Sequence, residues 1–209
     1  MAAMLMGGWS LQSCDNEPTK EVWLDEFGQD SCYVQDWGML EVNRSVVHTP
    51  LTVNGVVYER GLGAHSISRL LYDLDGKAVS ISGLAGADDK NLFAGKLQFK
   101  ILGDKKELWK SGVMQKGDPV KEFNVNLKGV DKVLLLVEEC GDGIMYDHAD
   151  WLNVKITTRG DVKPVPAWAK PVAKEKYILT PPAPESPVIN NPLVYGARPG
   201  NPFLWSVMA

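Results

Sequence analysis

From residue 21 to residue 160 the chain is a succession of short apolar runs, most of them alternating with period two, cut by Gly, Asn and Asp clusters. Breaks of that kind at roughly 8- to 12-residue intervals are the pattern of an all-β sandwich or barrel. Leu51-Thr52-Val53-Asn54-Gly55-Val56-Val57-Tyr58 sets two apolar runs around Asn-Gly and predicts a hairpin. Residues 77 to 84 alternate with Val79 and Ile81 on one face. Leu97, Phe99 and Ile101 alternate with Gln98 and Lys100 ahead of a Gly103-Asp104-Lys105 turn, and Phe123, Val125 and Leu127 alternate with Asn124 and Asn126. Residues 133 to 137 are apolar without a break, as expected of a strand buried on both faces. No stretch between 21 and 160 has a 3.6-residue period, which leaves a mixed α+β domain as the weaker alternative.

From Val162 the character changes. Lys163-Pro164-Val165-Pro166-Ala167-Trp168-Ala169-Lys170-Pro171 and Pro181-Pro182-Ala183-Pro184 fix φ repeatedly and remove backbone donors, so residues 161–209 are expected to be an extended Pro-rich tail rather than packed strand. Val194, Tyr195, Phe203, Leu204 and Trp205 give this tail apolar side chains, and it reads as a linker and the start of a further, truncated domain. At the other end, residues 1–20 are set apart from the fold. Leu11-Gln12-Ser13-Cys14 has the form of a bacterial lipobox, with Cys14 as the lipidation site, although no Lys or Arg precedes the apolar run. The alternatives are a disordered terminus or a misplaced start. Cys32 and Cys140 are expected to be free thiols, with a disulfide as the alternative in an oxidising compartment. The β-sandwich is thus assigned to residues 21–160.

A net charge of -4 with both signs interspersed excludes the clustered basic face that nucleic acid requires, and no run approaches the roughly 20 apolar residues of a membrane span. Metalloprotease, nucleophile-elbow, phosphate-loop and dinucleotide motifs are absent. Chemistry concentrates instead in Tyr146-Asp147-His148-Ala149-Asp150-Trp151, which follows the Gly141-Asp142-Gly143 turn. Two carboxylates there leave open a hydrolytic pair, Asp147 and Asp150, although such pairs need a deep cleft that shifts one pKa. A sugar site needs flat aromatic rings against C–H faces and Asp, Asn or His against vicinal hydroxyls. Trp37, Asn43, His65, Asp147, His148 and Trp151 supply that set near turns.

The order of motifs narrows the choice. Asp36-Trp37-Gly38, the Pro50 to Tyr58 hairpin, Gly61-Leu62-Gly63-Ala64-His65-Ser66-Ile67-Ser68, residues 83 to 89 (GLAGADD), Gly112-Val113-Met114, Gly141-Asp142-Gly143 and Asp147-His148-Ala149-Asp150-Trp151 closely resemble the NPCBM family over residues 21 to 159. That family is a carbohydrate-binding module attached to bacterial glycoside hydrolases, also classed as carbohydrate-binding module family 51. The resemblance implies a jelly-roll, galactose-binding-like β-sandwich that takes galactose-containing glycans, and often a structural calcium. Asp88, Asp89 and Asp150 are the calcium ligands it suggests, since calcium takes six to eight oxygens. Residues 178 to 184, 187 to 190 and 195 to 204 resemble the short segment ahead of an Ig-like domain in bacterial galactosidases of the α-galactosidase type.

Weighed singly, His65 and His148 either bond a sugar hydroxyl or brace the loop around residue 147. His48 is expected in solvent. Trp151 opens a strand and is core unless it stacks on ligand; Trp37, in a Gly-flanked turn, is the more exposed candidate; Trp23 and Trp109 are assigned to packing. The expected function is that of a monomeric, non-catalytic carbohydrate-binding module that targets an attached glycoside hydrolase to its substrate at the bacterial cell envelope or outside the cell. A hydrolase using Asp147 and Asp150 and a structural spacer are the alternatives.

Overall fold

The computed structural model describes residues 17–93, 95–161 and 163–167 and, within them, every side chain but those of Cys32 and Tyr33. Residues 1–16 and the chain from Trp168 onward lie outside this description, and with them the Cys14 lipidation site and most of the Pro-rich tail. Among the described residues no helix is long and apolar enough to cross a membrane.

Two six-stranded antiparallel sheets face one another. In the first, β11 (Lys121–Asn126), β8 (Ala78–Ala87), β13 (His148–Arg159), β6 (Gly61–His65) and β3 (Glu41–Val42) lie side by side, and β1 (Thr19–Trp23) pairs with the far half of β13. In the second, β10 (Lys106–Met114), β9 (Leu97–Gly103), β12 (Lys132–Glu139), β7 (Ser68–Asp73) and β14 (Val165–Pro166) lie side by side, with β2 (Cys32–Gln35) also on β7. This is the all-β sandwich the alternating runs require. The Asn-Gly hairpin forms β4 (Leu51–Val53) and β5 (Val56–Tyr58), with Asn54 and Gly55 at φ of 48° and 77° as a two-residue turn of that composition demands.

The inward residues of both sheets make one core. Trp151 stands at its centre, fully buried, with Phe99 and Phe123 edge-on at ring-centroid distances of 4.9 and 5.7 Å. Ile81, Ile101, Tyr72 and Ile156 fill the layer around it. A second, smaller core of Leu51, Val53 and Leu152 lies outside the first sheet, beneath the β4–β5 hairpin. Glycines make that cover fit: a Cβ on Gly63 would meet the backbone of Arg44 and Ser45, and one on Gly86 would lie 2.6 Å from Val53. Gly61, Gly63 and Gly86 are therefore where the hairpin or the loop before it lies directly on the sheet.

Four expectations need correction, and the first is the start of the sandwich: Thr19 and Lys20, set apart from the fold with residues 1–20, are paired strand in β1. Residues 24–31 form a 3₁₀ segment broken at Gly28, too short to register as a period in the sequence. Val165–Pro166 is paired strand, tolerated because it sits at a sheet edge where Pro166 needs no N–H donor. The run at 133–137 is covered on both faces except at one position: Val133, Leu135 and Val137 are core and Leu136 is buried on the outer side, while Leu134 is half-exposed there. Cys140 is a half-buried free thiol, its pKa raised by burial and nearby carboxylates.

Candidate functional site

β6 and β13 pair so that His65 stands directly opposite His148. Alternation sends Leu62, Ala64, Ala149 and Trp151 into the core, so both imidazoles lie on the outer face of the first sheet, where they are only 3% and 7% exposed. Their ring centroids are 5.5 Å apart. Trp37, carried by the loop after β2, lies over both, parallel to His148 within 7° at 5.8 Å and tilted against His65 at 5.1 Å. The indole remains 49% exposed, which makes it a shelf rather than a core residue. This aromatic trio forms the floor of a cleft of about 600 Å³. Val47 and Thr49 line the cleft from one loop, Lys90 and Leu92 from a second, and Ile144, Met145 and Tyr146 from a third.

Both histidines are held neutral. Burial lowers the pKa of His65 against the opposing pull of the Ser66 carbonyl and Asp36, and burial followed by the nearby His65 lowers that of His148. The Nδ1–H of neutral His65 donates to the Ser66 carbonyl at 2.6 Å, which leaves Nε2 as an acceptor. His148 is fixed through its backbone: its N–H donates to Asn91 Oδ1 at 3.0 Å and its carbonyl accepts from Asn91 Nδ2 at 3.3 Å. No carboxylate lines the cleft, and the Lys90 ammonium is its one formal charge among the described residues.

The other residues singled out in the sequence have different places. Trp151 is not a stacking platform, because its register places it on the core side of β13. Asn43 lies outside the cleft; at φ of 57° its Oδ1 accepts from the Gly61 N–H at 3.0 Å and its own N–H donates to the Gly61 carbonyl, which closes the end of β3 against β6. Asp147 is buried beside the site without lining it. Its Oδ2 accepts from Ser66 Oγ at 2.5 Å, and burial pushes its carboxyl up to about 6 despite that bond. Asp147 thus braces the loop next to His65.

Asp150 and Asp88 meet beneath the hairpin, both essentially inaccessible. Burial first and the Asp88 charge second push Asp150 well above the usual carboxylate range. Apart from its contact with the Asp88 carboxyl, neither Asp150 oxygen has a hydrogen-bond partner in the protein, whereas Asp88 accepts from the N–H groups of Lys90 at 2.6 Å and Thr52 at 3.4 Å. A buried carboxylate pair needs a shared proton or a cation. All-oxygen donors suit a hard ion such as calcium, and the two otherwise unpartnered Asp150 oxygens fit that need. Among the described residues no three His, Cys, Asp or Glu side chains converge on a metal position, so backbone carbonyls would have to complete the shell. Asp89 is occupied elsewhere, accepting from the N–H groups of Asn54 and Gly55 at 3.0 and 2.7 Å.

Asp147 and Asp150 therefore share no cleft, and the arrangement required for a hydrolytic pair is not formed. Val47, Thr49, Lys90, Leu92, Ile144, Met145 and Tyr146 are cleft residues that sequence reasoning did not assign to the site. Their contribution comes from loop conformation, for which neither period nor motif gives a signal.

The family model of the NPCBM/NEW2 domain matches residues 20–157. Alpha-1,3-galactosidase B of Akkermansia muciniphila is 29% identical over 130 residues, a stretch that is 60% of this chain and 16% of that enzyme. Among solved structures, the CBM51 module of a Clostridium perfringens GH95 protein in complex with methyl-galactose is 25% identical, over 66% of this chain and 99% of that one, with a TM-score of 0.59. The CBM51-bearing structure of Clostridium perfringens ZmpB, which includes its M60 catalytic domain, is 28% identical over 68% of this chain and 15% of that one, with a TM-score of 0.61.

Proposed function

The chain belongs to the NPCBM/NEW2 domain family and carries a non-catalytic carbohydrate-binding module of the CBM51 type, and we propose that its cleft receives the terminal galactose of a galactose-containing glycan. The observation that carries this reading is the Trp37–His148–His65 floor: a half-exposed ring for the C–H face of a pyranose, beside neutral imidazole nitrogens for its hydroxyls. Galactose presents such a face because its axial hydroxyl leaves several C–H bonds on one side of the ring. The methyl-galactose complex of the GH95 module supports the choice of sugar.

In this reading the module concentrates an attached glycoside hydrolase of the α-galactosidase kind on its substrate, an effect of local concentration rather than of chemistry. One open cleft implies a dissociation constant on the order of 0.1 to 1 mM. A calcium ion between Asp88 and Asp150 is part of the same proposal. It would tie the end of β8 to the start of β13 and so hold the loop that carries Lys90 and Leu92. Lipidation of Cys14 would place the module at the cell envelope, and intact-mass measurement of the mature bacterial protein checks that.

Isothermal titration with methyl-galactoside and a glycan array test the sugar reading. Binding of galactosides by the native chain and its loss in Trp37→Ala, with an unchanged thermal midpoint, is the expected outcome. Absence of binding to every galactoside, with and without calcium, would refute it and leave a structural spacer.

A further inference from the structure

The second sheet has an apolar stripe on the side facing away from the core. Leu134 is in register with Leu71 on one side and with Leu102 on the other, so three leucines from adjacent strands form a row. All three are half-buried, and they line a groove of about 400 Å³ rimmed by Asp104, Lys105 and Lys132. Leu134 and Leu136 are the outward members of the unbroken apolar run at 133–137, whose composition asks for cover on both faces; Leu136 is buried and Leu134 is the one left half-exposed. The first sheet has such cover in its hairpin. On the second sheet Leu136 is already covered, and the stretch of the stripe around Leu134 is the part left open among the described residues.

The path of the chain points to what covers it. β14 runs antiparallel to β7, with Val165 opposite Asp73 and Pro166 opposite Tyr72, and the Ala167 N–H donates to the Leu71 carbonyl at 2.9 Å. The chain thus arrives beside Leu71, at the end of the leucine row. It cannot continue along β7, because β2 occupies the next stretch of the same edge, where Cys32 pairs with Leu70. The residue that follows in the sequence is Trp168. Val165 is exposed and Pro166 buried, which puts Ala167 on the outer side beside Leu71, and the interior beneath Leu70 is already filled, so the inner side has no room for a further ring.

We propose that the groove formed by Leu71, Leu102 and Leu134 is a docking site for the chain's own continuation, with the Trp168 indole as its occupant. The groove is apolar at its base and charged at its rim, which suits a ring with an apolar body and one polar N–H. Docked there, Trp168 seals the second sheet and anchors the start of the tail on the side of the sandwich opposite the sugar cleft.

A double-mutant cycle in the full chain tests this. Trp168→Ala and Leu134→Ala should each lower the thermal midpoint by about 2–6 °C, and the double variant should fall little further, because both remove one contact. Acrylamide quenching gives a second readout. The fluorescence lost in Trp168→Ala, taken as a difference from the native chain, should be blue-shifted and shielded. Additive midpoints, or a difference spectrum of a solvent-exposed indole, would overturn the proposal. So would a cycle in which Leu134 couples to a chain break after Pro171 but not to Trp168, since another part of the tail would then be the cover.

Discussion

Two tryptophans, Trp151 and Trp37, lie within a few residues of the same pair of histidines in space or sequence, yet have opposite roles. Trp151 is three residues along β13 from His148 and therefore on the other face, closed in by Phe99 and Phe123. Trp37 comes from a loop far away in sequence and lies on His148 in the open. The contrast teaches that in a strand-built site sequence proximity carries little weight compared with parity. Neighbours at odd spacing are separated by the thickness of the sheet, whereas groups joined only by register share a surface.

The comparison breaks most visibly at the core member. Trp151→Ala should cost about 3–5 kcal/mol of stability, since it opens a cavity between two aromatic rings. Chemical denaturation measures it. A loss below 1 kcal/mol would mean that Trp151 is not the centre of the packing. Trp37→Ala is the reciprocal case: a galactoside affinity about 10-fold lower or worse, from a stacking interaction of ~1–3 kcal/mol, at a midpoint within about 1 °C of native. A variant that lost stability and binding together would erase the distinction.

The flanking acids sharpen it. The Asp147 carboxyl titrates near 6 when folded, against an ordinary 3.8. A raised folded pKa means that the folded state binds the extra proton, so this group's stabilising contribution is complete below about 4 and is lost as pH rises through about 6. Thermal midpoints across pH 4 to 7 should show that decline. Asp147→Asn should flatten it, while binding at pH 7 changes little. If calcium rather than a proton balances Asp150 against Asp88, chelation should lower the midpoint of the native chain by several degrees but leave Asp150→Asn unaffected. Equal response of the two chains to chelator would remove calcium from the proposal. The smallest expected effect is on the floor itself. Because burial holds His65 and His148 below the ordinary 6.5, galactoside affinity should stay constant from pH 8 to 6.5 and weaken only in more acid solution, as protonation removes their acceptors. A decline that begins above 7 would show that the imidazoles are not shielded.

Much of this was legible in the chain. The strands could be read because half-buried strands write their two faces into the sequence, as β9 does with Leu97, Phe99 and Ile101 inside and Gln98 and Lys100 outside. His65 and His148 could be singled out because glycines and turns flank them, though nothing in the sequence stated that they are register partners. Trp151 and Asn43 were assigned by chemical type, and their places were decided by strand parity and by a left-handed backbone position. The cleft walls at Val47, Leu92 and Met145 were illegible, because each belongs to a loop whose path is set by packing rather than by its own residues. The Asp88–Asp150 pair could be suspected from composition, but its depth under the hairpin follows from glycines that let the cover lie close.

The pairing of His65 with His148 has one more consequence. The two halves of the cleft floor belong to strands more than eighty positions apart, brought opposite one another only when β6 and β13 have their correct register. Sliding β13 by a single position would turn His148 inward and present Ala149 in its stead. On the proposed reading, a copy in which the sheet has slipped loses the floor of the cleft and with it the grip on sugar.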